Sequence, residues 1–228
     1  MKKITLLLLS ILFSLTCSLH AQKQFAGEIS YQTKLEGTDD PNLLSSIENQ
    51  TIDVSILGNK SKTVMKNEMA SQAVVWDGDK ESAYILIEIT GMGKFYKKWN
   101  TEQHKDNLKF NDYKYVHEDD FKTICDYKCQ KVVATITNLE DDSTSELIFY
   151  VTKEIGASKL NGFEYPGLEG YPLLMMTPLD QYCDGCLMMM EAVKITPKKI
   201  KDVDFLLPDD AKNIDDDPEL REMFGIKD

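Results

Sequence analysis

Between Glu146 and Met190 the chain reads ELIFYVTKEIGASKLNGFEYPGLEGYPLLMMTPLDQYCDGCLMMM. An apolar β-rich run passes into a Gly/Pro-punctuated loop, and the loop into two methionine-rich runs flanking a Cys-x-x-Cys. Leu173-Leu174-Met175-Met176 reads as a short apolar strand, and Leu187-Met188-Met189-Met190 is apolar on both faces of a strand, which two covered faces, or a core face and a cavity face, would explain. Pro172 cannot donate to a central ladder and belongs at a strand start or an edge. Asp184-Gly185 between the two cysteines suits a two-residue hairpin. Methionine is flexible and polarizable, and it serves equally as core filling or as the wall of an adaptable pocket. On the second reading Leu173, Leu174, Met175, Met188 and Met190 are the candidate ligand-binding residues.

The rest of the chain supplies strands for that segment to pair with. Phe25–Thr33, Thr51–Leu57, Ser61–Lys66, Gln72–Trp76, Ser82–Ile89, Phe95–Trp99, Lys131–Thr137 and Leu147–Thr152 are β-rich runs. They are separated by turn clusters such as Gly37-Thr38-Asp39-Asp40-Pro41, Gly58-Asn59 and Glu140-Asp141-Asp142-Ser143. A short helix is expected over 42–49, and Asn100 to Asp120 is a polar interval with one weak strand at Tyr113–Val116. Ala192–Thr196 and Asp202–Leu207 are the last strands, and Pro208 ends them. Strands this close in sequence pair as an antiparallel meander. The expected division is a signal peptide over 1–21, one antiparallel β domain over 22–208 and an acidic tail over 209–228. The tail is expected in solvent, with a short helix at Glu219–Phe224.

Lys2 and Lys3, the apolar run Ile4–Leu15 and a small residue at Ala21 form an export signal. The apolar run is shorter than the roughly 20 residues of a membrane-spanning helix, so no membrane span is expected. The formal charge of −12 becomes more negative once Lys2 and Lys3 are lost. Such an acidic chain disfavours nucleic acid and anionic lipid surfaces, because phosphates are repelled. It leaves open an apolar ligand or an envelope protein as partner.

Four cysteines follow the signal: Cys125, Cys129, Cys183 and Cys186. In an exported chain disulfides are the default, and four cysteines allow three pairings. Cys125 and Cys129 lie about 13 Å apart in an extended strand. A bridge needs Cα atoms within about 7 Å, so they pair only across a turn at Asp126-Tyr127; otherwise each pairs with one of Cys183 and Cys186. A tetrathiolate zinc site and a redox Cys-x-x-Cys are the alternatives. His104 and His117 sit among charged residues, and no zincin, serine-hydrolase or P-loop motif is present. Neither an enzyme, a metal centre nor a cofactor is expected.

Three ordered motifs carry a resemblance. Phe25-x-Gly27-x-Ile29-x-Tyr31, then Ile124-Cys125-Asp126-Tyr127-Lys128-Cys129, then Tyr150-Val151-Thr152-Lys153-Glu154-Ile155 resemble secreted bacterial domains of unknown function related to the GLPGLI family. Leu168-Glu169-Gly170-Tyr171-Pro172-Leu173 stands where that family has its naming loop, and Phe205-Leu206-Leu207-Pro208 fits its end. Asp126 replaces a glycine of the family pattern, and the GLPGLI string is absent. Such domains are similar to the LolA-type half-barrel, which implies a mainly β fold: an antiparallel, incomplete barrel with one or two short helices and an apolar interior site able to take a lipid or acyl chain. The alternatives to such a carrier are an envelope interaction protein without a small ligand and a thiol-disulfide protein using Cys183 and Cys186.

Overall fold

Alternation along the first strand sets the two faces of the sheet. In β1 (Ala26–Glu36) the side chains of Ile29, Tyr31, Thr33 and Leu35 are buried, while Gln32, Lys34 and Glu36 face water. The same inward register runs through Ile52, Val54 and Ile56 of β2 (Thr51–Leu57) and Ser61, Thr63 and Met65 of β3 (Lys60–Lys66). In the computed structural model the described residues are 24–226 apart from 49, 68, 157 and 180–182. The expected signal peptide lies outside them.

The remaining strands are β4 (Ala70–Asp77), β5 (Ser82–Ile89), β6 (Gly93–Trp99), β7 (Asn111–Ile124), β8 (Tyr127–Asn138), β9 (Thr144–Thr152), β10 (Tyr171–Pro178), β11 (Leu187–Pro197) and β12 (Lys212–Asn213). Among the described residues they form one sheet in the order β12-β6-β5-β4-β3-β2-β1-β11-β10-β9-β8-β7. Neighbours are antiparallel except β12, which lies parallel to β6. β7 and β12 end the sheet without meeting, so it is an open half-barrel. Among the described residues the α-helices are α1 (Pro41–Glu48), α2 (Thr101–Leu108) and α3 (Pro218–Met223).

The polar interval is more ordered than its composition suggests. Asn100 caps α2 by accepting from the Gln103 amide at 3.0 Å, and the Gln103 side chain accepts from the Asn100 amide at 3.0 Å. Beyond it β7 runs for 14 residues along β8, with an irregularity between His117 and Phe121. As an edge strand with both faces partly wet, β7 needs no apolar alternation, which is why its composition reads as loop. The β7–β8 turn places Cys125 at φ 48° and Asp126 at φ 68°, the left-handed pair of a two-residue hairpin. Asp126 thus occupies a position where a glycine suffers no strain.

Two further expectations are revised. Asp202–Leu207 is not a strand: Asp202–Phe205 is a 3₁₀ turn, held by Phe205 packing on Val75 and by the Tyr84 hydroxyl donating to the Phe205 carbonyl at 3.0 Å. Nor is the acidic C-terminal segment left in solvent. β12 pairs with β6, Lys94 meets Asp210 at 2.8 Å, Ile214 is buried and Phe224 lies 5.6 Å from Phe95. The aspartates stay wet while Ile214 and Phe224 anchor the segment over the sheet edge. α3 starts at Pro218 with Asp217 accepting from the Glu219 and Leu220 amides.

Candidate ligand-binding cavity

The inner face of the sheet is covered by a lid, the described residues of 155–170, between β9 and β10. Its left end packs on β8 and β9: Leu168 is fully buried with Val132, Phe149 and Val151, and Tyr165 stands edge-on to Phe149 at 4.8 Å. Its other end reaches β4, β6 and α2. There the Trp76 indole N–H donates to the Lys159 carbonyl at 2.7 Å, and Phe163 packs against Trp76, Trp99 and His104. Gly162 permits this approach, since a Cβ there would sit 3.0 Å from the Trp76 ring. In the middle, Asn161 is buried, and its amide nitrogen donates to the Leu168 carbonyl at 2.9 Å and the Gly170 carbonyl at 2.6 Å. The lid is therefore a loop with one 3₁₀ turn, Ser158–Asn161, closed on itself by one side chain.

Between lid and sheet lies a cavity of about 350 Å³, within the size range of small-molecule sites. Tyr31, Ile52, Val54, Met65, Met175 and Met190 make its apolar wall, and Asn161, Glu164 and Tyr165 line it from the lid. The Tyr31 hydroxyl donates to the Pro172 carbonyl at 2.8 Å, fixing the start of β10 to β1. Burial pushes the Tyr31, Tyr165 and Tyr171 phenols upward, so all three are neutral hydrogen-bonding groups at physiological pH. The Glu164 carboxyl opens onto the cavity and stays reachable by water, yet the surrounding protein raises its pKa by desolvation.

The sequence-predicted wall residues divide. Met175, Met188 and Met190 line the cavity. Leu173 and Leu174 do not: an irregularity between Pro172 and Leu174 shifts the register of β10 on β9, so Leu174 pairs with Tyr150 and Glu191 while Met175 pairs with Phe149 and Met190. Both leucines are buried in a cluster with Ile124 and Cys129 from the β7–β8 hairpin tip. That tip reaches β11, where Lys122 meets Glu191 at 3.1 Å and the Cys125 thiol donates to the Ala192 carbonyl at 3.3 Å. The residues missed, Tyr31, Ile52, Val54 and Met65, carried a usable signal: each falls on the inward register of its own alternating strand.

The four cysteines do not form two bridges. Cys183 and Cys186 are bonded to each other with Cα atoms 5.4 Å apart, and Cys125 and Cys129 are free thiols. The turn lies at Cys125-Asp126, not Asp126-Tyr127, so Cys129 stands opposite Lys122. A tetrathiolate is excluded by the Cys183–Cys186 bond. Burial pushes the Cys129 thiol up to about 11, and burial followed by Asp126 and Glu191 raises that of Cys125. Neither is a ready nucleophile at neutral pH.

His104 is 4% exposed, its ring 4.8 Å from Trp76 and stacked at 5.8 Å on Phe163. Desolvation lowers its pKa below 6.5, partly offset by the Gly162 backbone and Glu81. A depressed histidine contributes stability that is complete above the unfolded pKa and is lost as pH falls through the folded value. Thermal unfolding of the wild type is therefore expected to lose ground to His104→Phe as pH is lowered below 6.5, with no such trend above it. A constant difference across that range would remove His104 from the lid's energetics.

Against known proteins, no family model matches the chain, and no curated protein matches it in sequence. The GLPGLI resemblance therefore rests on its motifs alone. Among solved structures, two crystal forms of PNGF-II overlay with TM-scores of 0.54 and 0.51, at 14% and 13% identity. Each match covers 83% of this chain and 31% of that one, so the chain spans about a third of those structures. The Mycobacterium tuberculosis lipoprotein LppX is similar over 84% of this chain and 98% of its own, with 12% identity and a TM-score of 0.30. At these identities the PNGF-II likeness speaks to the fold alone.

Proposed function

We propose that this chain is an exported, non-enzymatic binding module that holds an apolar ligand, such as a lipid or an acyl chain, in the lidded half-barrel. The observation that carries the reading is the cavity wall: Met175, Met188 and Met190 from β10 and β11 face Ile52, Val54 and Met65 from β2 and β3 beneath a closed loop. Adaptable thioethers on a largely preformed concave surface suit a flexible hydrocarbon better than a rigid polar substrate. The Cys183–Cys186 bond fits an oxidising compartment.

The test is native mass spectrometry of protein purified from its own cell envelope, followed by binding of a fluorescent apolar probe to the stripped protein. Mass lost on denaturation supports a cargo. Met190→Asp, which places a charge on the wall, is expected to weaken probe binding by about 100-fold or more. Val193→Asp, at an exposed position on the same strand, is expected to leave binding unchanged. Equal binding by both variants would end the reading.

A second reading has an observation of its own. β7 leaves one edge unpaired among the described residues, and Val116 and Phe121 on it are 60% and 45% exposed. An envelope partner adding a strand there would make the chain an interaction protein. Protein that carries no cargo and binds no probe would favour it.

A further inference from the structure

Glu164 is the single carboxyl on the cavity wall, and among the described residues that wall carries no lysine, arginine or histidine. The other polar groups that line it are hydroxyls and amides, including Ser61, Thr63 and Asn161. Two lysines of β3 are engaged away from the cavity. Lys60 meets Asp202 at 2.6 Å, and Lys62 reaches the Asp204 carbonyl at 3.3 Å.

A phosphate or carboxylate brought into this space would therefore lose part of its hydration without gaining a cation, and would face the Glu164 carboxyl. An uncharged head meets the opposite situation. A hydroxyl can donate to the Glu164 carboxylate, and Thr63 or Ser61 can serve an ester or amide carbonyl.

We propose that Glu164 is a specificity residue that admits lipids with uncharged heads, such as acyl esters, amides or long-chain alcohols, and rejects anionic ones. This rests on the cavity being a ligand site, as proposed above.

The experiment compares two lipids with one acyl chain: 1-palmitoylglycerol, which is uncharged, and palmitoyl lysophosphatidylglycerol, whose phosphodiester is anionic throughout. Each displaces a fluorescent apolar probe from the stripped, full-length exported protein at pH 8.5, below the lipids' aggregation concentrations. That pH is set well above the usual carboxylate range, while Tyr165 and Tyr171, which also line the cavity, remain protonated. The wild type is expected to prefer the uncharged lipid by about tenfold or more, and Glu164→Gln, of the same shape without the charge, to narrow the preference to about threefold. Probe binding that depends on Met190 but shows no head-group preference would overturn the selectivity and leave the cavity reading standing. A preference undiminished in Glu164→Gln would assign it to some other group and overturn the role of Glu164. Failure of the probe and both lipids to bind would overturn both.

Discussion

Trp76→Ala is expected to destabilise the protein by about 3–5 kcal/mol, the range for removing a large buried aromatic. Trp76 is 3% exposed and does two jobs at once. Its ring packs on His104 and Phe163, and its indole N–H is the donor to the Lys159 carbonyl. Alanine leaves a void where Gly162 lay against the ring and orphans a carbonyl. Trp76→Phe separates the two: it keeps most of the packing and is expected to cost about 1–3 kcal/mol for the lost donor and the smaller ring. The midpoint of urea unfolding, with an unchanged slope, measures both. Hydrogen exchange locates the damage, because amides around Lys159 and Phe163 should open in Trp76→Ala well before those of β1 and β2. Uniform loss of protection would mean that Trp76 supports the barrel as a whole and that the lid has no separate hold on it.

The strands were largely legible because they are made of local signals. Ser82–Ile89, a β-rich run between an Asp-Gly turn and a glycine pair, is the strand observed. Hairpins at Gly58-Asn59 and Asp77-Gly78 and the order of a meander follow from the same chemistry. What was not legible depended on contacts distant in sequence. Asp202–Leu207 alternates like a strand, yet Phe205 is worth more against Val75 than in any ladder. Ile214 and Phe224 look too few to anchor a segment so rich in aspartate, until β6 offers an unpaired edge. The methionine runs pointed towards the cavity, but one irregularity in β10 decided which of Leu173, Leu174 and Met175 would face it. The lid was the largest omission. Its polar, glycine-containing residues read as a surface loop, and nothing local tells that Asn161 turns inward or that Phe163 finds Trp76, 87 positions earlier in the chain.

Asn161→Leu isolates that lid from the barrel beneath it. Leucine keeps the volume at a buried position and removes the only groups that link Asn161 to the Leu168 and Gly170 carbonyls. Each buried carbonyl left without a donor costs about 1–3 kcal/mol, so a total of about 2–4 kcal/mol is expected after local relaxation. Asn161→Asp should be no better, since a carboxylate has no N–H to offer and repels both oxygens. Gly170 cannot adjust freely to compensate: it sits at φ +86°, with the Thr152 carbonyl 3.0 Å from where a Cβ would lie. The cost should therefore appear as opening of the loop while the strands below stay paired. If that loop gates the cavity, the dissociation rate of a bound apolar probe should rise by about tenfold for every 1.4 kcal/mol by which the closed lid is weakened. The two quantities are measured on one sample, exchange at the lid amides and stopped-flow release of the probe. A lid that opens while release stays at the wild-type rate would show that the ligand leaves by another path, between the ends of the open sheet.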